Sequence, residues 1–342
     1  MPERVGGMDR FFWTFDASCN EAGYNVIWFF PNSANHEGYE KLNIVSADKH
    51  SLESAFLDYI NHNASFDTLI THFVELCSPF FKKVKMACKI RTVVVDHNPR
   101  PLGGYSLKTM VVKRVKSLLY SQYIDLFVGV SQYTEAHIIK DFGSYLNSKT
   151  IVVYNGIECA LFLKRRIRNN FKPTFIVASH LRESKGIQDL IQAVSILPDE
   201  IKSELKIDIY GEGPFKDSLA MLIHSLDLDS VFVFKGSVPN LYSIYSQYDY
   251  LLQPTHMECF SMSILESLSA NVPVITTSVG GNEEVITNNE NGFIYEPQDI
   301  LALAAILENI FLGKHIISGN INNAIESRFS IEKMVQQYIK II

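Results

Sequence analysis

At 342 residues the chain has room for two domains of ordinary size, roughly 150 residues each. A hydrophobic fraction of 47% and a charged fraction of 20% exclude a disordered chain, and neither a disulfide framework nor a metal is needed to hold a core of this size. The net charge of −6 argues against nucleic acid as a partner.

That charge is unevenly spread. Between positions 80 and 120, Lys82, Lys83, Lys85, Lys89, Arg91, Arg100, Lys108, Lys113, Arg114 and Lys116 face a single acid, Asp96. The segment carries +9 and the remainder −15. Two stretches within it, FFKKVKMACKIR and LKTMVVKRVKSLLY, mix lysines with Phe, Met, Val and Leu. Basic amphipathic helices bind anionic membrane surfaces, at about 1 kcal/mol per basic residue near the lipid. A solvated helix face has the same composition. The five cysteines are scattered without a CxxC pair, which fits reduced thiols in a cytosolic protein. No signal peptide is expected, because MPERVGGMDR is polar and FFWTFDASCN is broken by Asp16. No apolar run approaches the ~20 residues that span a bilayer.

In chain order, predicted strands are YNVIWF (24–29), DTLIT (67–71), RTVVV (91–95), DLFVGV (125–130) and TIVVY (150–154), with helical stretches over 51–62, 104–121 and 131–141 between them. A polar linker, KRRIRNNFKP (164–173), follows. The pattern then restarts with TFIVA (174–178), LKIDIY (205–210), VFVF (231–234), YLLQP (250–254) and PVIT (273–276). The closing segment, FSIEKMVQQYIKII, has apolar residues at helical spacing. Alternating βα units imply parallel sheets covered by helices, and two runs imply two Rossmann-like α/β domains. The expected division is an N-terminal domain over 1–160, a C-terminal domain over 161–325, and a terminal helix over 326–342 that packs back on the first domain.

Ligands of such sheets bind beyond the carboxyl ends of the strands, so the strand-to-helix loops carry the chemistry. GEGP, with Gly211 and Gly213, follows LKIDIY; it is either a tight turn or a ligand loop. It lacks the third glycine of a dinucleotide fingerprint, whose position holds Lys216. HMECFSMSILESLSANVP (256–273) follows YLLQP. Ser261 is placed to cap a helix whose first amides would receive an anion such as a diphosphate. Glu266 lies eight residues after Glu258, close to two helical turns, where a carboxylate can accept from vicinal hydroxyls. A solvated helix with two exposed glutamates has the same spacing. In SHLRESKG, Lys185 precedes Gly186 and a helix, which suits either an anion to neutralise or a solvated lysine. In SVGGNEEVI the Gly280-Gly281 pair permits a turn before a helix opened by Glu283 or Glu284.

Taken together, HLRESKGIQDLIQAV, IYGEGP, FKGSVPNLYSIYSQYDYLLQPTHMECFSMSILES and PVITTSVGGNEEVITNNENGFIYEP resemble the retaining glycosyltransferases of family 4, in order and spacing. The resemblance implies the GT-B fold, two Rossmann-like domains facing across a cleft. It also implies a nucleoside-diphosphate sugar, UDP- or GDP-linked, as co-substrate, with no further cofactor and no metal. By position, Glu266 would hold the ribose hydroxyls and Glu258 would contact the donor sugar near the reacting carbon. Lys185 would bind the diphosphate with the amides around Phe260, Ser261, Met262 and Ser263. GSVP, with Val238, would lie near the base. Gly6 and Gly7 match a glycine loop under the diphosphate, and His97 matches a histidine on the acceptor side. The sequence departs from the family at His180, where an arginine is usual and which Arg182 follows two residues later, and at Glu258-Cys259-Phe260-Ser261, where EGFG is common. Only five residues precede Gly6, so the N-terminal domain is expected to lack its first strand.

The reading is transfer of a hexose to a glycan, with a lipid-linked oligosaccharide of a surface polysaccharide as acceptor and a location at the inner face of the cytoplasmic membrane. Alternatives are a GT-B epimerase or small-acceptor synthase, or a binding partner without catalysis. Asp227-Leu228-Asp229 mimics a metal-binding DxD but reads as a loop, and His72 reads as either cleft-facing or core. Asn63-Ala64-Ser65 matches a glycosylation acceptor, without meaning in a cytosolic protein.

Overall fold

The computed structural model describes residues 7–33, 36–48, 50–62, 66–168 and 172–342. Gly6 and Asn63-Ala64-Ser65 lie outside them. The chain divides into two compact units. Unit 1 comprises Met1–Asn98, Tyr105–Ile157 and Ile331–Ile342; unit 2 comprises Pro99–Gly104 and Glu158–Ser330.

Unit 1 runs α1 (Asp9–Glu21), β1 (Trp28–Phe30), β2 (Ile44–Ser46), α2 (Leu52–His62), β3 (Thr68–His72), α3 (Pro79–Ala87), β4 (Arg91–Asp96), α4 (Leu107–Tyr120), β5 (Leu126–Gly129), α5 (Gln132–Phe142) and β6 (Thr150–Val152). Strands β3-β4-β5-β6 form a parallel sheet in sequence order. The run Val93-Val94-Val95 is buried throughout, as a strand covered on both faces requires. Phe81, Val84, Val94, Phe127, Ile138 and Leu146 fill the core beside it. Ser106 and Ser131 cap α4 and α5 by accepting from the amides of Thr109 and Thr134.

A second, two-stranded parallel sheet pairs β1 with β2. The predicted strand over 24–29 is therefore shifted and shorter, because Trp28, Phe29 and Phe30 are the residues that find partners at Ile44, Val45 and Ser46. Phe12 of α1 packs on Trp28 and Phe30 of β1 and on His72 of β3, so α1 bridges the two sheets. No strand precedes α1 among the described residues, and Gly7 lies in the turn entering that helix.

Unit 2 runs β7 (Phe175–Ala178), α6 (Ile187–Ser195), α7 (Asp199–Lys202), β8 (Ile207–Tyr210), α8 (Lys216–Ser225), β9 (Phe232–Gly236), α9 (Leu241–Ile244), β10 (Tyr250–Gln253), α10 (Met262–Ser269), β11 (Val274–Thr277), β12 (Gly292–Tyr295), α11 (Ile300–Phe311) and α12 (Asn323–Arg328). The six strands are parallel, in the order β12-β11-β10-β7-β8-β9. This is the doubly wound arrangement, and it reverses direction between β7 and β10. The last helix, α13 (Ile331–Ile339), belongs to unit 1, where Tyr338 packs on Phe11 and Phe15.

The segment read as a linker is tied into unit 2 in its described part. Arg165 bonds the fully buried Asp249 at 2.6 Å, and Arg168 donates to the carbonyls of Asn271 and Ile317, both at 3.0 Å. Guanidinium forks matched to a buried carboxylate and to chain carbonyls hold it in place. The turn at Gly280-Gly281 leads into a single 3-10 turn over Asn282–Glu284 rather than a helix, with buried Asn282 bonding back to Thr276 and Thr277.

Candidate functional site

The order of the unit 2 sheet fixes where a ligand crevice forms, beyond the carboxyl ends of β7 and β10. The loop after β7 carries Arg182 and Lys185; the loop after β10 carries Glu258, Phe260 and Ser261. Lys185 and Glu258 meet there, while Arg182 is exposed. Lys185 Nζ lies 2.8 Å from Glu258 Oε2, and both are partly buried. The other carboxylate oxygen of Glu258 accepts from the amide of Cys259 at 3.3 Å. The two loops are locked together beneath this pair. The backbone amide of His256 donates to the carbonyl of Ser184, and His256 Nε2 lies 2.5 Å from Asp189 Oδ2 in the first turn of α6.

Glycine is needed where the loops touch. Gly186 has φ +67°, and a Cβ there would meet the carbonyl oxygen of Pro254 at 1.8 Å. Gly211 has φ +134°, and its Cβ would meet the Ser179 carbonyl at 1.9 Å, while one on Gly213 would meet the Leu181 carbonyl at 2.3 Å. The GEGP loop thus rests directly on the loop carrying Arg182 and Lys185, and the amide of Leu181 donates to the carbonyl of Glu212. Val238 is half-buried just past β9, next in the sheet to β8.

Ser261 caps α10 as expected. Its hydroxyl accepts from the amide of Ile264 at 3.4 Å and from Gln253 Nε2 at 2.6 Å. The first-turn amides of Met262 and Ser263 come before the first intrahelical bond, so the helix presents partial positive charge to the crevice. Ser263 Oγ donates to the carbonyl of Ala178, joining α10 to the end of β7. Buried Phe260 packs on Phe329. One turn into α10, Glu266 accepts from the hydroxyl of buried Tyr245 at 2.9 Å, and Glu258 lies in the loop before the helix, so the two carboxylates are not two helical turns apart as their spacing suggested. Burial pushes the Glu266 carboxyl up to about 7, with the Tyr245 bond working the other way. On the loop after β7, desolvation and the cations of Arg182 and Lys185 hold the His180 imidazole below its ordinary range.

Unit 1 holds the remaining expected residues. His97, at the end of β4, is buried and shares a hydrogen bond with His72, His97 Nε2 to His72 Nδ1 at 2.9 Å. Burial lowers both imidazoles, His97 to about 4, so both are neutral near pH 7. Of the basic segment, Lys85 pairs with Asp125, Lys113 with Asp141 and Lys116 with Glu75, and Arg100 is buried. Asp229 of the DxD-like run lies 3.1 Å from His224 at the surface. Among the described residues no cluster of His, Cys, Asp or Glu is arranged to hold a metal ion, and no helix is long and apolar enough to cross a membrane.

Sequence reading missed Tyr245, Gln253 and the His256–Asp189 brace. Tyr245 and Gln253 lie in runs that read as helix and strand, with nothing local to mark a polar partner. His256 stands two residues before Glu258 and Asp189 three after Gly186, so their proximity to the motifs was the available signal.

The family model for glycosyl transferases group 1 matches residues 163–326. The chain is 27% identical over 203 residues to the N-acetyl-alpha-D-glucosaminyl L-malate synthase of Bacillus anthracis, covering 56% of this chain and 53% of that protein. It is 24% identical over 291 residues to the capsular polysaccharide biosynthesis glycosyltransferase CapM of Staphylococcus aureus, covering 73% and 74%. The chain thus spans about half the length of the synthase. Among solved structures, a glycosyltransferase from Rickettsia africae ESF-5 superimposes with a TM-score of 0.78 at 18% identity, covering 100% of this chain and 96% of that one. Anabaena Alr3699/HepE in complex with UDP and glucose gives 0.79 at 17%, covering 100% and 97%. Residues 163–326 match the group 1 glycosyl transferases, and the chain as a whole has the two-Rossmann-domain fold of GT-B glycosyltransferases.

Proposed function

We propose that this protein transfers a hexose from a nucleoside-diphosphate sugar to a glycan hydroxyl with retention of anomeric configuration, as a family 4 glycosyltransferase. The observation that carries the reading is the Lys185–Glu258 pair at the point where the unit 2 sheet reverses, with α10 opening beside it and Glu266 one turn into that helix. Glu266 accepts from the ribose hydroxyls. Lys185, Arg182 and the first amides of α10 take the diphosphate. Uridine diphosphate is the first nucleotide to test, since the HepE structure superimposing on this fold contains UDP.

The bond from the anomeric carbon to the terminal phosphate oxygen breaks, and the acceptor hydroxyl oxygen bonds the same face of that carbon. The acceptor proton passes to the departing phosphate oxygen. Both Glu258 oxygens are engaged, one by Lys185 and one by the Cys259 amide, so this carboxylate is a poor nucleophile and front-face displacement is favoured. Charge on the leaving diphosphate is met by fixed cations and helix amides, with no divalent metal required.

The acceptor in this reading is a lipid-linked oligosaccharide of a surface polysaccharide, and the enzyme works at the inner face of the cytoplasmic membrane. Helix α4 supports it. Leu107, Val111, Val115 and Leu118 recur at helical spacing and are exposed, Leu107 by 86% and Leu118 by 69%. Lys82, Lys83 and Lys108 are also exposed, and Met86 on neighbouring α3 is 75% exposed. An apolar stripe edged by lysines suits an anionic lipid surface. The test is a donor screen with a membrane extract. Wild-type turnover with retained configuration supports the assignment; unchanged turnover in both Lys185→Ala and Glu258→Ala defeats it.

A further inference from the structure

The carboxyl ends of β3 and β4 carry a second feature that the donor chemistry does not use. Phe73, the residue after β3, has φ +60°. A bulky aromatic residue in the left-handed region is a backbone outlier, a conformation that persists only where the surroundings impose it. The ring gains little by burial in exchange, because Phe73 is 64% exposed. One face of it lies on the imidazole of His97, with ring centroids 4.4 Å apart and planes inclined by 23°.

What lies under the ring is rigid. His97 is held by its bond to His72. His72 is in turn packed among Phe11, Phe12 and Tyr338, at centroid distances of 5.6, 6.3 and 5.8 Å. Phe73 is thus a flat, solvent-facing aromatic surface on a fixed base, at the end of the sheet where α/β folds bind ligands. Asn98, the exposed residue after His97, is turned to its own strand end, its Nδ2 donating to Asp96 Oδ1 at 2.9 Å.

We infer that Phe73 is the stacking platform for a pyranose ring of the acceptor glycan, with His97 as the base of the stack. This rests on the glycosyltransferase reading above. The chemistry fits a sugar: the C–H groups on one face of a pyranose carry partial positive charge and pack on the negative face of an aromatic ring, while the hydroxyls point outward to polar neighbours. An anion would be repelled by that face. The left-handed backbone turns the ring outward, and the histidine pair keeps it from folding back.

The test uses the full chain and two readouts. In turnover assays with membrane extract as acceptor source, Phe73→Ala should raise the extract concentration for half-maximal rate at least tenfold. The KM for donor and the slow hydrolysis of donor without acceptor should stay as in the wild type. Phe73→Trp should retain transfer. Phe73→Gly, which relieves the strained φ but removes the ring, should behave like the alanine variant. Saturation-transfer NMR with methyl α- and β-pyranosides of glucose, galactose and N-acetylglucosamine reads the platform without turnover. Wild-type protein should saturate the ring C–H protons of at least one of them, and Phe73→Ala should abolish the effect. Unchanged acceptor dependence in Phe73→Ala overturns the inference, as does an equal loss in donor KM, or the absence of saturation transfer from wild type to every pyranoside. Wild type that binds a pyranoside but turns over no donor would instead defeat the transferase reading and leave the platform standing.

Discussion

The strand ends of the two units are built differently. In unit 2 the loops after β7, β8 and β10 touch backbone to backbone, through glycines that no side chain can replace, and the charged residues are fixed by an ion pair. In unit 1 the ends of β3 and β4 are held by stacked rings, His72, His97, Phe73, Phe11 and Tyr338, with no ion pair among them. The first construction suits a ligand that brings its own charge and always the same shape, such as a diphosphate. The second presents a neutral surface, which suits a partner recognised by its face rather than by its charge.

The largest effect separating the two regions should come from Gly186→Val. A Cβ there meets a carbonyl oxygen at 1.8 Å in a left-handed backbone, so the loops must part. A loss of about 3 kcal/mol or more is expected in urea unfolding, together with loss of nucleotide binding. If stability and binding survive, the loops of unit 2 are not locked as described.

Glu266→Gln sharpens the picture of the same crevice. With the carboxyl at about 7, protonation grows as pH falls through that value, and in the proposed ribose-binding role only the carboxylate would accept from both hydroxyls. Binding of uridine, which carries no titrating phosphate, should strengthen as pH rises through 7 in the wild type and be flat in the glutamine variant. The linked effect on folding runs the other way. A carboxyl raised from 4.5 in the unfolded chain to about 7 in the folded one keeps more protons when folded, so it costs stability as pH rises across that window. Without nucleotide, Glu266→Gln should therefore be the more stable protein above pH 7. Thermal melts at two pH values check this.

On unit 1, Leu107→Glu with Leu118→Glu should reduce cosedimentation with vesicles containing phosphatidylserine, and leave the melting temperature nearly unchanged, since both side chains are exposed. Equal sedimentation would remove α4 as a lipid-facing element. The smallest effect is expected from EDTA: turnover should be unchanged if, as proposed, Lys185 and Arg182 are the cations that meet the diphosphate.

Much of unit 2 was legible in the sequence because its determinants are local. The runs FIVA, YLLQ and VITT form parallel strands, and Ser261 caps the helix it precedes. The helical relation expected of Glu258 and Glu266 does not hold, because α10 begins only at Met262 and Glu258 stays in the loop before it. What was not legible depends on contacts between distant residues. Tyr245 reaches Glu266 across 21 positions, His72 reaches His97 across 25, and Arg168 reaches Asn271 across 103. The strand β2 has only three residues and was missed because pairing with β1, not its own pattern, defines it. Phe73 was illegible for another reason, since nothing in HFVEL marks a left-handed aromatic.

The most direct test of the central claim is a calorimetric titration of UDP into the wild type and Lys185→Ala. If the crevice between β7 and β10 is the donor site, the wild type binds. The variant should lose the ~1.5–3 kcal/mol of a charged hydrogen bond, about 10- to 150-fold in affinity, while its thermal stability holds. Equal affinity for UDP in the two proteins would contradict the account.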